Sequence, residues 1–160
     1  MSKNDYPVTP AIRFLRQKEV PFDTYEYEYI DKGGTRQTAE ELNVSEHNVI
    51  KTLVMEADGT PIIVLMHGDC EVSTKELARI IGVKKVEPAK LENATKYTGY
   101  IFGGTSPFGT KRQMKTYIEE SIMTLDKIYI NGGKRGFILG ISPEYLKLLD
   151  YELVNVAIKK

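Results

Sequence analysis

The sequence predicts a mixed α/β fold: one mixed β-sheet with helices packed around it. Three observations carry this. Short helical segments with recognisable N-terminal caps interleave with strand-like apolar runs along the whole chain. Two pairs of those runs flank glycine turns, Asp58-Gly59 and the stretch Gly132–Gly136, which marks hairpins. No succession of strand–helix–strand units occurs, so an all-parallel sheet is not expected.

The elements follow in order. "TPAIRFLRQK" opens with Thr9 as N-cap and Pro10 at the first helical position, where its missing N–H costs nothing. Ala11, Ile12 and Leu15 supply the apolar stripe. In "VPFDTYEYEYI", Tyr25, Tyr27 and Tyr29 alternate with Glu26 and Glu28, a period of two that predicts a strand with tyrosines on one face. "DKGGTRQ" reads as a loop, and "TAEELNV" as a short helix started by a Thr38/Glu41 capping box and ended at Asn43. "VIKTLVMEADGTPIIVLMHG" is the first hairpin. "STKELARIIG" is a helix with a Ser73/Glu76 capping box and Gly82 as its stop. "VKKVE" predicts a short strand, "PAKLENATK" a turn or two of helix, "YIFGG" a strand, and the first half of "QMKTYIEESI" another. "KIYINGGKRGFILGI" is the second hairpin. "SPEYLKLLD" is a helix capped by Ser142 with Pro143 at its first position, and "ELVNVAI" a last strand.

Composition sets bounds on function. A chain of 160 residues, 41% hydrophobic and 28% charged, is expected to form a single domain over residues 1–160 with a real core. No apolar run approaches the roughly 18 residues of a membrane span, and "MSKNDYPVTP" lacks the apolar centre of a secretory signal. The expectation is a cytoplasmic protein without a membrane partner. Cys70 is the only cysteine, and His47 and His67 lack the spacing of paired ligands, so neither a metal site nor a cofactor is expected. The net charge of zero conceals an asymmetry. Residues 1–80 hold 9 Lys/Arg against 14 Asp/Glu, and residues 81–160 hold 13 against 8. A basic half fits an anionic partner on one side of the molecule, without the strongly basic profile of a dedicated nucleic-acid binder.

Few residues carry chemistry by pattern. Lys51 lies in the apolar run "NVIKTLVME" and shares parity with Leu53 and Met55. An outward, solvated lysine is the commoner meaning; one turned to the apolar face can orient a carbonyl or carboxylate as a point charge. The tyrosines at 25, 27 and 29 either half-cover a core or offer hydroxyls to a ligand. Gly103-Gly104-Thr105-Ser106-Pro107 is either a plain turn or a set of amides aimed at an anionic or carbonyl oxygen. It matches neither glycine-rich nucleotide fingerprint. Lys111, Arg112 and Lys115, with Lys134 and Arg135, are either a solvated basic face or phosphate contacts. Cys70 has no nearby base in sequence, and no serine or cysteine triad is supported.

Taken together, "TPAIRFLRQKEVPF", "VIKTLV", "GYIFGGTSPFGTK" and "YINGGKRGF" resemble, in order and spacing, the YbaK/EbsC family. Its members are free-standing relatives of the editing insertion domain of bacterial prolyl-tRNA synthetase. The resemblance spans essentially the whole chain. It implies a mixed, barrel-like sheet surrounded by helices, and deacylation of mischarged aminoacyl-tRNA in trans. In the YbaK branch the amino acid is cysteine on tRNA(Pro).

By resemblance, Lys51 matches the family's essential lysine near the acceptor end. Gly103, Gly104, Thr105, Ser106 and Pro107 match its G-x-x-x-P loop, whose amides hold the ester carbonyl. A functional tyrosine of the first strand falls on Tyr27 without gaps and on Tyr25 with a small one. Asn131 stands where close YbaK members have serine, with Gly132 beside it. Lys111, Arg112, Lys134 and Arg135 would contact tRNA phosphates.

The resemblance also accounts for the missing triad: the substrate's own thiol is thought to attack the ester. It implies mischarged tRNA as partner through its acceptor end, prolyl-tRNA synthetase as a second partner, and no need for more than a monomer. Two alternatives stay open: a deacylase of this fold for another small amino acid such as alanine, and a module that binds tRNA or a partner without catalysis.

Overall fold

The computed structural model describes residues 5–160; the first four residues of the stretch examined for a secretory signal lie outside the described residues. Helix α1 (Pro10–Gln17) starts as its sequence dictates, with the Thr9 hydroxyl accepting from the Ile12 amide. Strand β1 (Asp23–Glu26) and helix α2 (Gly34–Leu42) follow. Next come β2 (Val49–Ala57), β3 (Thr60–His67), β4 (Cys70–Val72) and α3 (Thr74–Ile81). The chain continues through β5 (Val86–Pro88), α4 (Leu91–Thr98), β6 (Lys115–Glu119), β7 (Ile128–Lys134) and β8 (Phe137–Ile141). Strands β9 (Tyr151–Val154) and β10 (Ala157–Lys159) close the chain.

One eight-stranded sheet runs β1-β8-β7-β2-β3-β6-β9, with β5 also paired to β2. It is mixed as predicted: β2–β3, β7–β8, β1–β8 and β2–β5 are antiparallel, whereas β2–β7, β3–β6 and β6–β9 are parallel. Strands β10 and β4 form a separate antiparallel pair. The Asp58-Gly59 turn has both residues at positive φ, +48° and +85°, the geometry that matches strand twist in a two-residue hairpin.

Strand β3 is buried on both faces, which is why "PIIVLM" reads as continuous apolar sequence rather than alternation. Ile63 and Leu65 point into a core shared with Ala11, Ile12 and Leu15 of α1. Ile62, Val64 and Met66 point into a second core with Leu77 and Ala78 of α3. Each fully buried Ile, Leu, Val or Met side chain here contributes about 1.5–3 kcal/mol.

Several expectations are corrected. "YIFGG" is not a strand: Gly99 caps α4 in the left-handed conformation, and the Tyr100 hydroxyl then donates to the Phe108 carbonyl, turning the chain inward. The tyrosine strand ends at Glu26, although Tyr27 and Tyr29 remain half-buried and Glu28 exposed. Helix α2 begins four residues before the expected capping box, so Thr38 is interior and caps nothing. Lys134 still belongs to β7, leaving a two-residue turn, Arg135-Gly136, with a bulge between Asn131 and Lys134. The segment Pro143–Leu148 is capped by Ser142 as expected but winds as a 3-10 helix. The terminal strand is split between the main sheet and the β4–β10 pair.

Candidate active site

Strand registry assembles the site. Tyr25 pairs with Ile138, Ile138 with Asn131, and Lys51 with Met66. Strands β2 and β7 run in parallel register through Ile50 and Ile130, so one residue further on Lys51 and Asn131 lie side by side. Neighbours across strands point the same way. Ile50 and Ile130 enter the α1 core, so Tyr25, Asn131 and Lys51 occupy the opposite face, the one Met66 shares with the α3 core. The parity of Lys51 with Leu53 and Met55 therefore pointed to the correct face.

Lys51 is half-buried there. Burial pushes its ammonium below the ordinary lysine value, and neighbouring Lys160 adds to the shift, against Glu71 and Cys70. Strand β10 brings Lys160 in by pairing with β4, and its Nζ donates to the Gly68 carbonyl at 3.3 Å. Nothing in the sequence marks this approach, because it depends on the last strand leaving the main sheet.

Asn131 ties the glycine loop to this face. Its Nδ2 donates to the Gly103 carbonyl at 3.1 Å, while its Oδ1 accepts from the Gly133 and Lys134 amides at 2.7 and 3.1 Å. Arg135 adds a second tie, from Nε to the Phe102 carbonyl at 2.8 Å, with its guanidinium 4.9 Å from the Tyr29 ring centre. Gly103 has φ +87°, and a Cβ there would meet the Tyr29 hydroxyl at 2.7 Å. Gly104 is needed for space: its Cβ would lie 2.9 Å from the Arg135 amide nitrogen.

The amides of the loop are not equivalent. That of Gly104 is committed to the Ile101 carbonyl. Among the described residues, those of Gly103, Thr105 and Ser106 donate to no protein group. The Ser106 side chain is 0% exposed and accepts from the Phe108 amide, so its hydroxyl shapes the loop; Pro107 is buried behind it.

The two tyrosine candidates separate. The Tyr27 hydroxyl is 2.6 Å from that of Thr38 on α2, and burial raises its pKa despite that bond. Its amide donates to the Gly136 carbonyl, in the β7–β8 turn. The Tyr25 hydroxyl instead accepts from Lys127 Nζ at 3.2 Å. Gly132, expected to line the pocket, faces the core: a Cβ there would press on Phe137 and Leu139, and its carbonyl accepts from Thr9. Lys111 and Arg112 bond through their amides to Thr98 and Tyr97, which sets them at the end of α4. The sequence reading missed Thr38 as a site residue and Gln37, whose side-chain amide donates to the Glu28 carbonyl and accepts from the Ile30 amide. Tyr29 was visible in the alternation.

Folding creates two clusters that sequence spacing concealed. His67 Nε2 is 2.7 Å from Ser121 Oγ, and its Nδ1 is 2.7 Å from the His47 carbonyl. His67 shares parity with Ile63 and Leu65, so this pair lies on the face opposite Lys51, and at 1% exposure His67 clamps the end of β3 to the turn before β2 and the turn after β6. Donor atoms of His47, Asp69 and Cys70 lie within 4.8 Å of one another, where the sequence predicted no such gathering. His47 and Asp69 are already hydrogen-bonded at 2.9 Å, and burial raises the Cys70 thiol. Two surface clefts of about 280 and 360 Å³ include neither Lys51 nor Asn131. Chemistry, not cleft size, locates the site.

A half-buried cation and a loop with three unpaired amides, joined through Asn131, thus share one face of the sheet, and the Ser121–His67 pair lies on the other. Residues 33–148 match the aminoacyl-tRNA editing domain, and the chain belongs to that family of aminoacyl-tRNA deacylases. It is 34% identical, over 95% of its own length and 94% of the other's, to EbsC of Enterococcus faecalis, provisionally named a Cys-tRNA(Pro)/Cys-tRNA(Cys) deacylase. A proline–tRNA ligase of Streptococcus uberis is 30% identical over 68% of this chain, which spans 18% of that larger protein. Among solved structures, hypothetical protein APE2540 superposes with a TM-score of 0.85 at 20% identity, covering 93% of this chain and 99% of that one. A protein described provisionally as a trans-editing enzyme for prolyl-tRNA synthetase gives 0.81 at 17%, covering 96% and 99%. These two show the same fold. Among the described residues no helix is long and apolar enough to cross a membrane.

Proposed function

We propose that this chain removes cysteine from mischarged Cys-tRNA(Pro) in trans, with the substrate's own thiol as nucleophile. The observation that carries this is Asn131, which fastens the amide-bearing Gly103–Pro107 loop to the face that presents Lys51. The Gly103, Thr105 and Ser106 amides hold the ester carbonyl, and Lys51 orients the ribose–phosphate end. Tyr27 and Asn131 bound the side-chain pocket, with Tyr25 further along the same face.

The thiol sulfur then attacks the carbonyl carbon. A carbon–sulfur bond forms, the carbon–oxygen bond to ribose breaks, and the thiol proton ends on the ribose oxygen, releasing tRNA and a cyclic thiolactone. Holding the reacting atoms in place is worth up to about 7–11 kcal/mol, and one well-aimed amide about 3–4 kcal/mol. No protein nucleophile is required.

Lys111, Arg112, Lys134 and Arg135 contact tRNA phosphates, Arg135 through the guanidinium nitrogens left free by Phe102. Such contacts give salt-dependent affinity without reading sequence. Selection of tRNA(Pro) therefore falls to a complex with prolyl-tRNA synthetase, joined by a cytoplasmic monomer of this chain. The test is deacylation of Cys-, Ala- and Ser-tRNA(Pro). Turnover of the cysteinyl ester alone supports the mechanism. Equal release of alanine or serine, which lack a thiol, overturns it, and binding without turnover of any ester supports a non-catalytic module.

A further inference from the structure

We infer that Phe102 is the platform on which the 3′-terminal base of the tRNA stacks, with Ile101 extending the same surface. This rests on the functional reading above and adds a recognition element to it.

Phe102 and Ile101 are 61% and 55% exposed, and Phe102 is the most exposed large apolar side chain among the described residues. Ile30, 59% exposed, follows Tyr29 in the chain, and Tyr29 packs on Gly103. Ile101 and Phe102 thus stand exposed on the loop instead of folding under it.

The backbone beneath them is held rigidly. Arg135 Nε binds the Phe102 carbonyl, Asn131 Nδ2 binds the Gly103 carbonyl, and the Gly104 amide closes onto the Ile101 carbonyl at 2.9 Å. Three hydrogen bonds fix four consecutive residues while two apolar side chains are left in water. A loop that only needed to be stable would bury those side chains. A fixed backbone with an exposed ring is a preformed stacking surface, whose ordering is complete before the ligand arrives.

The occupant follows from position. Phe102 adjoins Gly103, about 3.8 Å away along the backbone. If the loop amides hold the ester carbonyl, the base of the esterified nucleotide lies one ribose away, within reach of the residue beside them. Arg135, bonded to the Phe102 carbonyl with its guanidinium over the Tyr29 ring, brings positive charge to the loop that complements the phosphate preceding that base. A flat π-face with adjacent positive charge is how proteins hold unpaired bases without reading their identity.

The test compares wild type with Phe102→Ala, Phe102→Tyr and, as a control at a distant exposed site, Leu91→Ala. One readout is KM and kcat on Cys-tRNA(Pro). The other is fluorescence quenching of an uncharged acceptor-stem minihelix with 2-aminopurine as its 3′-terminal base, which reports stacking without turnover. Phe102→Ala is expected to raise KM about 5- to 150-fold and abolish quenching, with kcat far less affected. Phe102→Tyr should restore both, and Leu91→Ala should change neither.

Unchanged KM and quenching in Phe102→Ala overturn the platform while leaving the editing reading intact. Wild-type quenching that depends on Phe102, in a protein that deacylates nothing, supports the platform and removes the editing reading. A loss in Phe102→Ala that Phe102→Tyr fails to restore overturns stacking as its cause.

Discussion

Replacing Asn131 separates two things its side chain does. Its Oδ1 accepts from the Gly133 and Lys134 amides, and its Nδ2 donates to Gly103 across to the loop. Asn131→Ala removes all three bonds. At about 1 kcal/mol each, reduced for solvent exposure, the loss is about 1–2 kcal/mol, which at 2–4 °C per kcal/mol lowers Tm by about 2–8 °C. Asn131→Asp keeps the acceptor for both amides, in a charge-assisted form, but sets a carboxylate against the Gly103 carbonyl. Its Tm should therefore lie closer to wild type than that of the alanine variant. Its activity should not, because the loop loses its tether, and misplacement by about 1 Å costs on the order of 100-fold. Thermal melting with single-turnover deacylation of Cys-tRNA(Pro) measures both. If Asn131→Asp deacylates at the wild-type rate, or if activity merely follows the order of Tm values, the tether does not position the loop.

Three further outcomes are expected. Gly104→Ala should impair deacylation, because its Cβ meets the backbone of Arg135 at 2.9 Å rather than a movable side chain; unchanged kinetics would show that the loop has room to shift. Lys51→Met should be at least as stable as wild type at pH 7, because burial and Lys160 disfavour the charged amine in the folded state. That penalty is fully present below the folded pKa and is relieved as pH rises toward the unfolded value near 10.5, so the Tm gap between the two proteins should narrow on the alkaline side. Burial likewise lowers the pKa of His67, so the folded state binds fewer protons than the unfolded chain and stability should fall as pH drops below about 6.5. His67→Gln should flatten that acid limb in a melting series; an unchanged limb would assign it to other groups.

What the sequence revealed depended on how local the cause was. The caps at Thr9, Ser73 and Ser142 and the Asp58-Gly59 turn are decided within four residues, and each appears where it was read. The Thr38/Glu41 signal obeys the same local rule but lost to a tertiary one, since the Thr38 hydroxyl meets Tyr27 and the helix extends back to Gly34. "YIFGG" has strand composition, yet Gly99 ends one helix and Tyr100 is drawn into the core by Phe108. At the site, Lys51 and the glycine loop were readable from parity, glycine content and resemblance. Their arrangement was not: the neighbouring of Lys51 and Asn131 comes from a parallel pairing of strands some 80 positions apart, and that of Lys160 from a strand outside the main sheet. Gly132 was misplaced because motif adjacency does not reveal which way a strand residue faces.

The most direct measurement is the rate of Cys-tRNA(Pro) deacylation by wild type and Lys51→Ala, with Ser-tRNA(Pro) as the thiol-free control. Fast release of cysteine by wild type, none of serine, and a loss of at least about 100-fold in Lys51→Ala is the predicted result. Equal rates for the two proteins, or release of serine as fast as cysteine, would contradict it.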